Sequence, residues 1–178
     1  DITFVGTEGE IKAYAATPGP ADRREFLRRF WTERDLVPAT AVNERLLEHW
    51  RRVWIARNRF GERKTPWDRR GEVYIRYGEP DFRARSDEID FIKSSDLRVQ
   101  RIKERMAMGL YGSGFVLNTP SLRQGPVYPV TGPGRSAQII AAGGSSQVPW
   151  ESWIYFHLGG GIEVTFTDEM LNGAVAFR

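Results

Sequence analysis

Apolar residues recur every three or four positions over much of the first part of the chain, which is the period of an α-helix with one buried face. One stripe predicts a helix over residues 21–34, directly after Pro20. A second predicts a helix over residues 40–60, which Gly61 ends. A weaker stripe predicts a third helix over residues 87–108. The predicted inner faces are Phe26, Leu27, Phe30 and Trp31; Leu46, Leu47, Trp50, Val53, Trp54 and Ala56; and Ile92, Val99, Ile102 and Met106.

Other stretches alternate apolar and polar residues, which is the period of a half-buried β-strand. This alternation predicts a strand over residues 72–77. It also predicts an antiparallel meander near the end of the chain, with its first turn at Gly159-Gly160-Gly161. The strands of the meander are predicted at residues 151–158, 162–167 and 174–177.

Helices first and a meander last predict an α+β fold, with two or three N-terminal helices packed on a small C-terminal antiparallel sheet. We expect residues 1–20 to form an extended arm and residues 21–178 to form a single domain. A long irregular insertion is predicted at about 109–149. Of the 39 residues in 111–149, 17 are Gly, Pro or Ser and none is acidic, so we expect this stretch to be mobile or ordered by a partner.

The bulk composition permits a buried core, because the chain is 40% hydrophobic and 28% charged. The net charge is only +3, whereas a nucleic-acid-binding domain concentrates basic charge more strongly, so we expect no nucleic-acid partner. The absence of cysteine excludes disulfides and thiol chemistry. No stretch reaches the roughly 20 apolar residues of a membrane span. The chain begins with Asp1 instead of methionine, which leaves room for a signal peptide or an anchor before it.

The sequence shows no catalytic constellation. His49 and His157 are the only histidines, and neither has the spacing of a metal-binding motif. The serine-containing glycine stretches at residues 112–114 and 143–146 lack the strand-to-helix elbow of a serine hydrolase. We therefore predict no catalytic residue, no cofactor and no metal.

The stretch WDRRGEVYIRYGEPD at residues 67–81 invites two interpretations. In one, its charged residues bind an anion or a carbohydrate beside a tryptophan. In the other, which we favour, it is a structural corner in which the tryptophan fills a junction, the aspartate caps or pairs with an arginine, and the glycines and proline shape the turns. The residues assigned to this corner are Trp67, Asp68, Arg70, Gly71, Gly78 and Pro80.

Arginine and aromatic residues outside the predicted core are candidates for binding a partner. An arginine-rich face of the second predicted helix could meet an acidic protein or anionic lipid headgroups. The alternative is that this face is simply solvated, because Glu44, Glu48 and Glu62 are interspersed among the arginines. The candidate partner-binding residues are Arg51, Arg52 and Arg59, with Tyr111, Phe115, Tyr128 and Arg135 from the predicted insertion.

A series of short motifs resembles the bacterial GWxTD-domain family. The name-giving motif itself stands here as Pro66-Trp67-Asp68. The matching stretches are RFWTERD at 29–35, NE at 43–44, WDRRGEVYIRYGEPD at 67–81, WIY at 153–155 and FTD at 166–168. The resemblance covers residues 21–81 and 150–178, and it implies an exported bacterial protein in a periplasmic or extracytoplasmic setting more than it implies an activity.

Two functions remain open from the sequence. The favoured one is a non-catalytic exported interaction module, an accessory subunit docked on the extracytoplasmic face of a larger membrane complex, associated with the membrane through its partners or through a preceding anchor. The alternative is a periplasmic carbohydrate-binding or hydrolytic protein. It requires a cleft lined by Trp67, Trp150, Trp153 and Tyr155, with carboxylates or His157 beside them.

Overall fold

The fold is α+β, as the sequence predicts. The structure is a computed structural model that describes residues 2–61, 65–86, 96–112, 149–168 and 176–177. Within these residues it contains five helices and an antiparallel sheet of three full strands and a two-residue fourth. The helices are α1 (Glu8–Ala16), α2 (Pro20–Thr32), α3 (Glu44–Phe60), α4 (Arg69–Tyr77) and α5 (Leu97–Tyr111). The strands are β1 (Phe82–Arg85), β2 (Trp150–Tyr155), β3 (Ile162–Thr167) and β4 (Ala176–Phe177).

The chain divides into two compact units, where the sequence predicted an arm and one domain. Unit 1 comprises Asp1–Trp67 and Gly71–Gly78 and holds helices α1 to α3 and most of α4. Unit 2 comprises Asp68–Arg70 and Glu79–Arg178 and holds the sheet and α5.

Unit 1 is built on α2 and α3, both of which the sequence predicts. Helix α2 begins at Pro20, which has no N–H group to leave unsatisfied at the first helical position. Asn43 caps α3, because its side-chain oxygen accepts from the Leu46 N–H at 2.8 Å. The Asn43 amide nitrogen also donates to the Trp31 carbonyl oxygen at 2.6 Å, so the same cap ties α3 to the end of α2. The core of this unit includes Ile2, Phe30, Trp31, Val53, Ala56 and Phe60.

The predicted extended arm over residues 1–20 was wrong, because residues 8–16 form helix α1. The Thr7 hydroxyl oxygen accepts from the Glu10 N–H at 3.3 Å, and the Glu10 carboxylate accepts from the Thr7 N–H at 2.7 Å. This reciprocal capping box satisfies two donors of the first turn. Glu10 also binds Arg34, with 2.6 Å between Oε1 and Nη2, which anchors α1 to the end of α2.

The predicted strand over residues 72–77 was also wrong, because these residues lie in helix α4. A strand would bury alternate residues, yet the three consecutive residues Val73, Tyr74 and Ile75 are all buried. Gly71 and Tyr74 are buried three residues apart, as one face of a helix requires. Asp68 precedes the first helical residue, and its carboxylate caps the helix by accepting from the Arg70 N–H at 2.8 Å.

Unit 2 contains the predicted antiparallel meander. The strand order is β1-β2-β3-β4, with Trp153 opposite Val164 in the central pair. The turn between β2 and β3 uses Gly159, Gly160 and Gly161, all with positive φ, a conformation that side chains with a Cβ rarely adopt. Helix α5 packs on the sheet through Val99 and Ile102 against Ile154, so the predicted inner stripe is confirmed at both of these helix positions and at the half-buried Met106. Residues 87–95, which include Ile92, lie outside the described residues.

A buried ion pair joins α5 to β3. Lys103 Nζ lies 3.7 Å from Glu163 Oε1, and both side chains are 1% exposed. Glu163 also accepts a short hydrogen bond of 2.5 Å from the Ser152 hydroxyl group. Burial lowers the pKa of Lys103, and the charge of Glu163 opposes that shift. Because both side chains are buried in an apolar helix–sheet interface, the loss of either one would leave the other without its opposite charge.

Two helical glycines make a matched test of close packing. A Cβ on Gly71 would lie 2.4 Å from Trp67 Cβ and 2.7 Å from Trp67 Cγ, whereas a Cβ on Gly109 meets nothing within 4 Å. We expect Gly71→Ala to lower the free energy of unfolding by about 2 kcal/mol through overpacking. Gly109→Ala should raise it by about 0.5–1 kcal/mol through helix propensity. Urea unfolding followed by circular dichroism measures both, and equal effects of the two substitutions would contradict the assigned contact.

The ion pair of Lys103 and Glu163 predicts strong coupling between the two positions. We expect Lys103→Met to cost about 3 kcal/mol of unfolding free energy, because it leaves the Glu163 carboxylate buried without its cation. The double variant with Glu163→Gln should recover most of that loss, since a neutral amide still accepts from Ser152. A double-mutant cycle in urea measures the coupling, and additive losses would refute it.

Candidate functional site

Helix α3 has two apolar faces. His49, Val53, Ala56 and Phe60 form the face buried in unit 1. Leu47, Trp50 and Trp54 form a second face, which we call the α3 row, and these side chains are 61%, 52% and 66% exposed. The sequence prediction placed all three in the buried stripe, which was wrong. Both sets have helical spacing, but they lie roughly 120° apart around the helix at about 100° per residue, so one core cannot cover both.

The exposed large apolar residues are concentrated in the segment of the sequence that contains the α3 row. Among the described residues, ten large apolar side chains are exposed, and six of them fall within residues 36–54. The other three of these six are Leu36, Val37 and Val42, in the connection that precedes α3. Scattered exposed apolar residues need no explanation, but the three aligned side chains of the α3 row form the kind of contiguous apolar patch that marks a binding surface.

Arginines border the α3 row. Arg51 is exposed and binds Glu48, with Nε 2.6 Å and Nη2 2.9 Å from the two carboxylate oxygens. Arg52 binds the same Glu48 through Nε at 2.7 Å. These contacts lower the pKa of Glu48 to about 2, chiefly through the hydrogen bond from Arg51. Arg57 lies on the other side of the row and places its guanidinium 5.9 Å from the Trp67 ring.

The structure places the predicted partner-binding residues at several different locations. Arg51 borders the α3 row. Arg52 is half-buried and also donates to the Arg76 carbonyl oxygen at 3.1 Å, so it braces unit 1. Arg59 is exposed but lies on the side of α3 away from the row. Tyr111 is the last residue of α5, and Phe115, Tyr128 and Arg135 lie outside the described residues.

Asp68 and Arg70 form a satisfied ion cluster with the sheet of unit 2. Arg70 donates to Asp68 Oδ2 from Nε at 2.8 Å and from Nη2 at 2.7 Å. Its Nη1 donates to Glu151 Oε2 at 2.9 Å, and Trp153 Nε1 donates to Glu151 Oε1 at 2.6 Å. Each of the two buried carboxylates is thus bonded inside the protein, which is what a structural corner requires.

The other predicted corner residues also pack closely. Trp67 is half-buried, and its ring packs against the Phe4 ring in an edge-to-face arrangement with 5.7 Å between centroids. Gly71 lies against Trp67 inside α4 and does not form the predicted entry to a strand. Gly78 follows α4 with φ 86° and lies against the Arg52 guanidinium, and Pro80 is buried.

The aromatic cleft of the alternative function does not form from the described residues. Trp150, Trp153 and Tyr155 are all buried. Trp153 packs against Phe166, at 4.8 Å between ring centroids, and lies beneath the Arg83 guanidinium. His157 is exposed, with Nδ1 3.6 Å from Asp81 Oδ2. Stacking on a sugar ring requires an open aromatic face, and these three buried rings cannot supply one.

Metal-binding clusters and membrane-crossing helices are absent from the described part of the chain. There, no three His, Asp or Glu side chains converge closely enough to hold a metal ion. None of the helices, as far as the structure describes them, is both long and apolar enough to cross a bilayer.

Comparison with protein-family models, with curated proteins and with solved structures found no match to this chain. The interpretation of the α3 row as a binding surface therefore depends on the geometry of the row alone.

His49 lies on the buried side of α3, behind the row. Its ring is 5.0 Å from the Trp31 ring and 5.7 Å from the Trp50 ring. Neither ring nitrogen has a hydrogen-bond partner among the described residues, and the side chain is only 1% exposed. Burial, with the nearby charges of Arg45 and Arg52, lowers the pKa of His49 to about 4. His49 is therefore a neutral ring in an aromatic setting.

This environment predicts a pH-dependent stability. Between about pH 6.5 and about pH 4 the unfolded chain binds a proton at His49 that the folded chain excludes, so the free energy of unfolding falls as the pH falls. We expect a loss of roughly 3 kcal/mol across that window. Glu10 and Glu48, each with a pKa of about 2, act mainly below this window.

The matched variant is His49→Phe, which keeps an aromatic ring and removes both nitrogens. Its unfolding free energy should fall much less than that of the parent between pH 6.5 and 4, and it should be at least as stable as the parent at pH 7. Urea unfolding at a series of pH values measures this. A slope retained in the variant would show that another group titrates.

Proposed function

We propose that the chain is a non-catalytic interaction module that docks through the α3 row, as an accessory subunit of a larger membrane complex. The observation that carries this proposal is the pair of exposed tryptophans at positions 50 and 54, aligned with Leu47 on one face of a rigid helix. Tryptophan and arginine are the residues most enriched at the energetic centres of protein interfaces. Three large apolar side chains held in water are otherwise a liability for solubility.

The rigidity of α3 also supports docking. The capped N-terminus and the buried face fix the helix backbone in unit 1. A partner therefore binds a row that is already ordered, and the entropy cost of association is lower than for a flexible segment.

The cellular setting belongs to the same proposal. The resemblance to the GWxTD-domain family, carried by residues 21–81 and 150–178, suggests an exported bacterial protein on the extracytoplasmic face of a membrane. In this setting a membrane-embedded partner, or an anchor that precedes the chain, would supply the attachment.

The test is co-migration. Membranes from the source cells are solubilised gently, and complexes are separated by size with the tagged chain as marker. The parent chain should migrate with a large complex. The double variant Trp50→Ser/Trp54→Ser should migrate as the free chain, because losing two central anchors costs about 3 kcal/mol, or roughly a 100-fold loss of affinity.

The matched control is Leu97→Ser/Met108→Ser, which removes two exposed apolar side chains from α5. This variant should stay with the complex. A parent chain that migrates alone would refute the proposed function, and equal release of both double variants would refute the role of the α3 row.

A further inference from the structure

We propose that the α3 row inserts, as a helix face, into an apolar groove of a partner protein whose rim carries carboxylates. This inference rests on the proposed function and names the chemistry of the partner at the same surface.

The spacing of the row fits a groove. Leu47, Trp50 and Trp54 stand at positions i, i+3 and i+7 of α3, which is the anchor pattern of helices that lie in apolar grooves. Seven residues of helix span about 10 Å, so the anchors form a short ridge projecting from unit 1. A ridge with two indoles is complementary to a concave surface, because only a groove can surround both rings.

The charges around the row call for an acidic rim. Arg51 borders the row and shares the Glu48 carboxylate with Arg52, so this one carboxylate does not neutralise both arginines. Arg57 adds a second positive charge on the opposite side of the row. The remaining acid of α3, Glu44, lies in its first turn and accepts from the Thr40 hydroxyl group at 2.7 Å. Carboxylates placed on both sides of a groove would therefore meet the exposed arginines.

A lipid surface fits these observations less well. Electrostatic attachment to anionic membranes uses clusters of about four to eight basic residues. Among the described residues of α3, Arg51 and Arg57 border the row, and Arg51 already binds Glu48. The row also holds only three apolar side chains over two turns, which is little apolar area to bury in a bilayer.

The experiment measures binding of the purified full chain to source-cell membranes that have been stripped of the native chain. Three charge reversals are compared, Arg51→Glu, Arg57→Glu and Arg28→Glu. Arg28 is the matched control, because it pairs with Glu25 at i,i+3 and 2.8 Å on α2, as Arg51 pairs with Glu48 on α3. Binding is repeated on protease-shaved membranes and on phosphatidylcholine vesicles with and without phosphatidylglycerol. Urea midpoints check that all the variants are folded.

We expect Arg51→Glu and Arg57→Glu each to weaken binding about tenfold, while Arg28→Glu binds like the parent. Shaving should abolish binding, and the vesicles should not bind. Equal effects of Arg51→Glu and Arg28→Glu would overturn the acidic rim, and the proposed function would stand if Trp50→Ser/Trp54→Ser still loses binding. Retention on shaved membranes or on phosphatidylglycerol vesicles would overturn the protein groove in favour of lipid. A parent chain that binds no membrane would overturn the proposed function and this inference together.

Discussion

Helix α3 must bury one side and expose the other, and the organisation of unit 1 follows from that constraint. Its apolar residues occupy two faces, and a helix packed in a small unit can cover only one of them. The face with His49, Val53, Ala56 and Phe60 is buried. The other face leaves the indole rings of Trp50 and Trp54 exposed to water, and a binding partner can bury them.

Local charge pairing accounts for several of the arginines in the described part of the chain. Glu48 binds two arginines, Glu10 binds Arg34, and Asp68 and Glu151 enclose Arg70. Exposed pairs of this kind add little stability, but the half-buried Arg70 cluster and the buried pair of Lys103 and Glu163 are needed because an unpaired buried charge is expensive. A small excess of positive charge remains at the surface beside the α3 row. This arrangement favours binding to a specific partner over general attraction to anions.

In both of the wrong secondary-structure predictions, a helix-capping residue outweighed a pattern that looked extended. Residues 72–77 alternate apolar and polar side chains and also satisfy helical spacing when Gly71 and Tyr74 are counted together. The capping of the helix by Asp68 and the close contact of Gly71 with Trp67 decide for the helix, and alternation alone does not register either contact. At α1 a local signal was present: Thr7 and Glu10 form the spacing of a capping box, which outweighs the extended appearance of the surrounding residues.

The sequence by itself determined helices α2 and α3, the inner positions of α5, the glycine turn between β2 and β3 and the α+β class. These features depend on periodicity and on backbone preferences that are local to each segment. It also determined that Asp68 would cap or pair with an arginine, since Arg69 and Arg70 follow it directly. Only the tertiary structure decided that Leu47, Trp50 and Trp54 are exposed, that the indoles of Trp150 and Trp153 are buried, and that Lys103 meets Glu163. The reason is that burial depends on which other segments cover a face. The sequence of α3 shows two apolar faces and does not indicate which of them is covered.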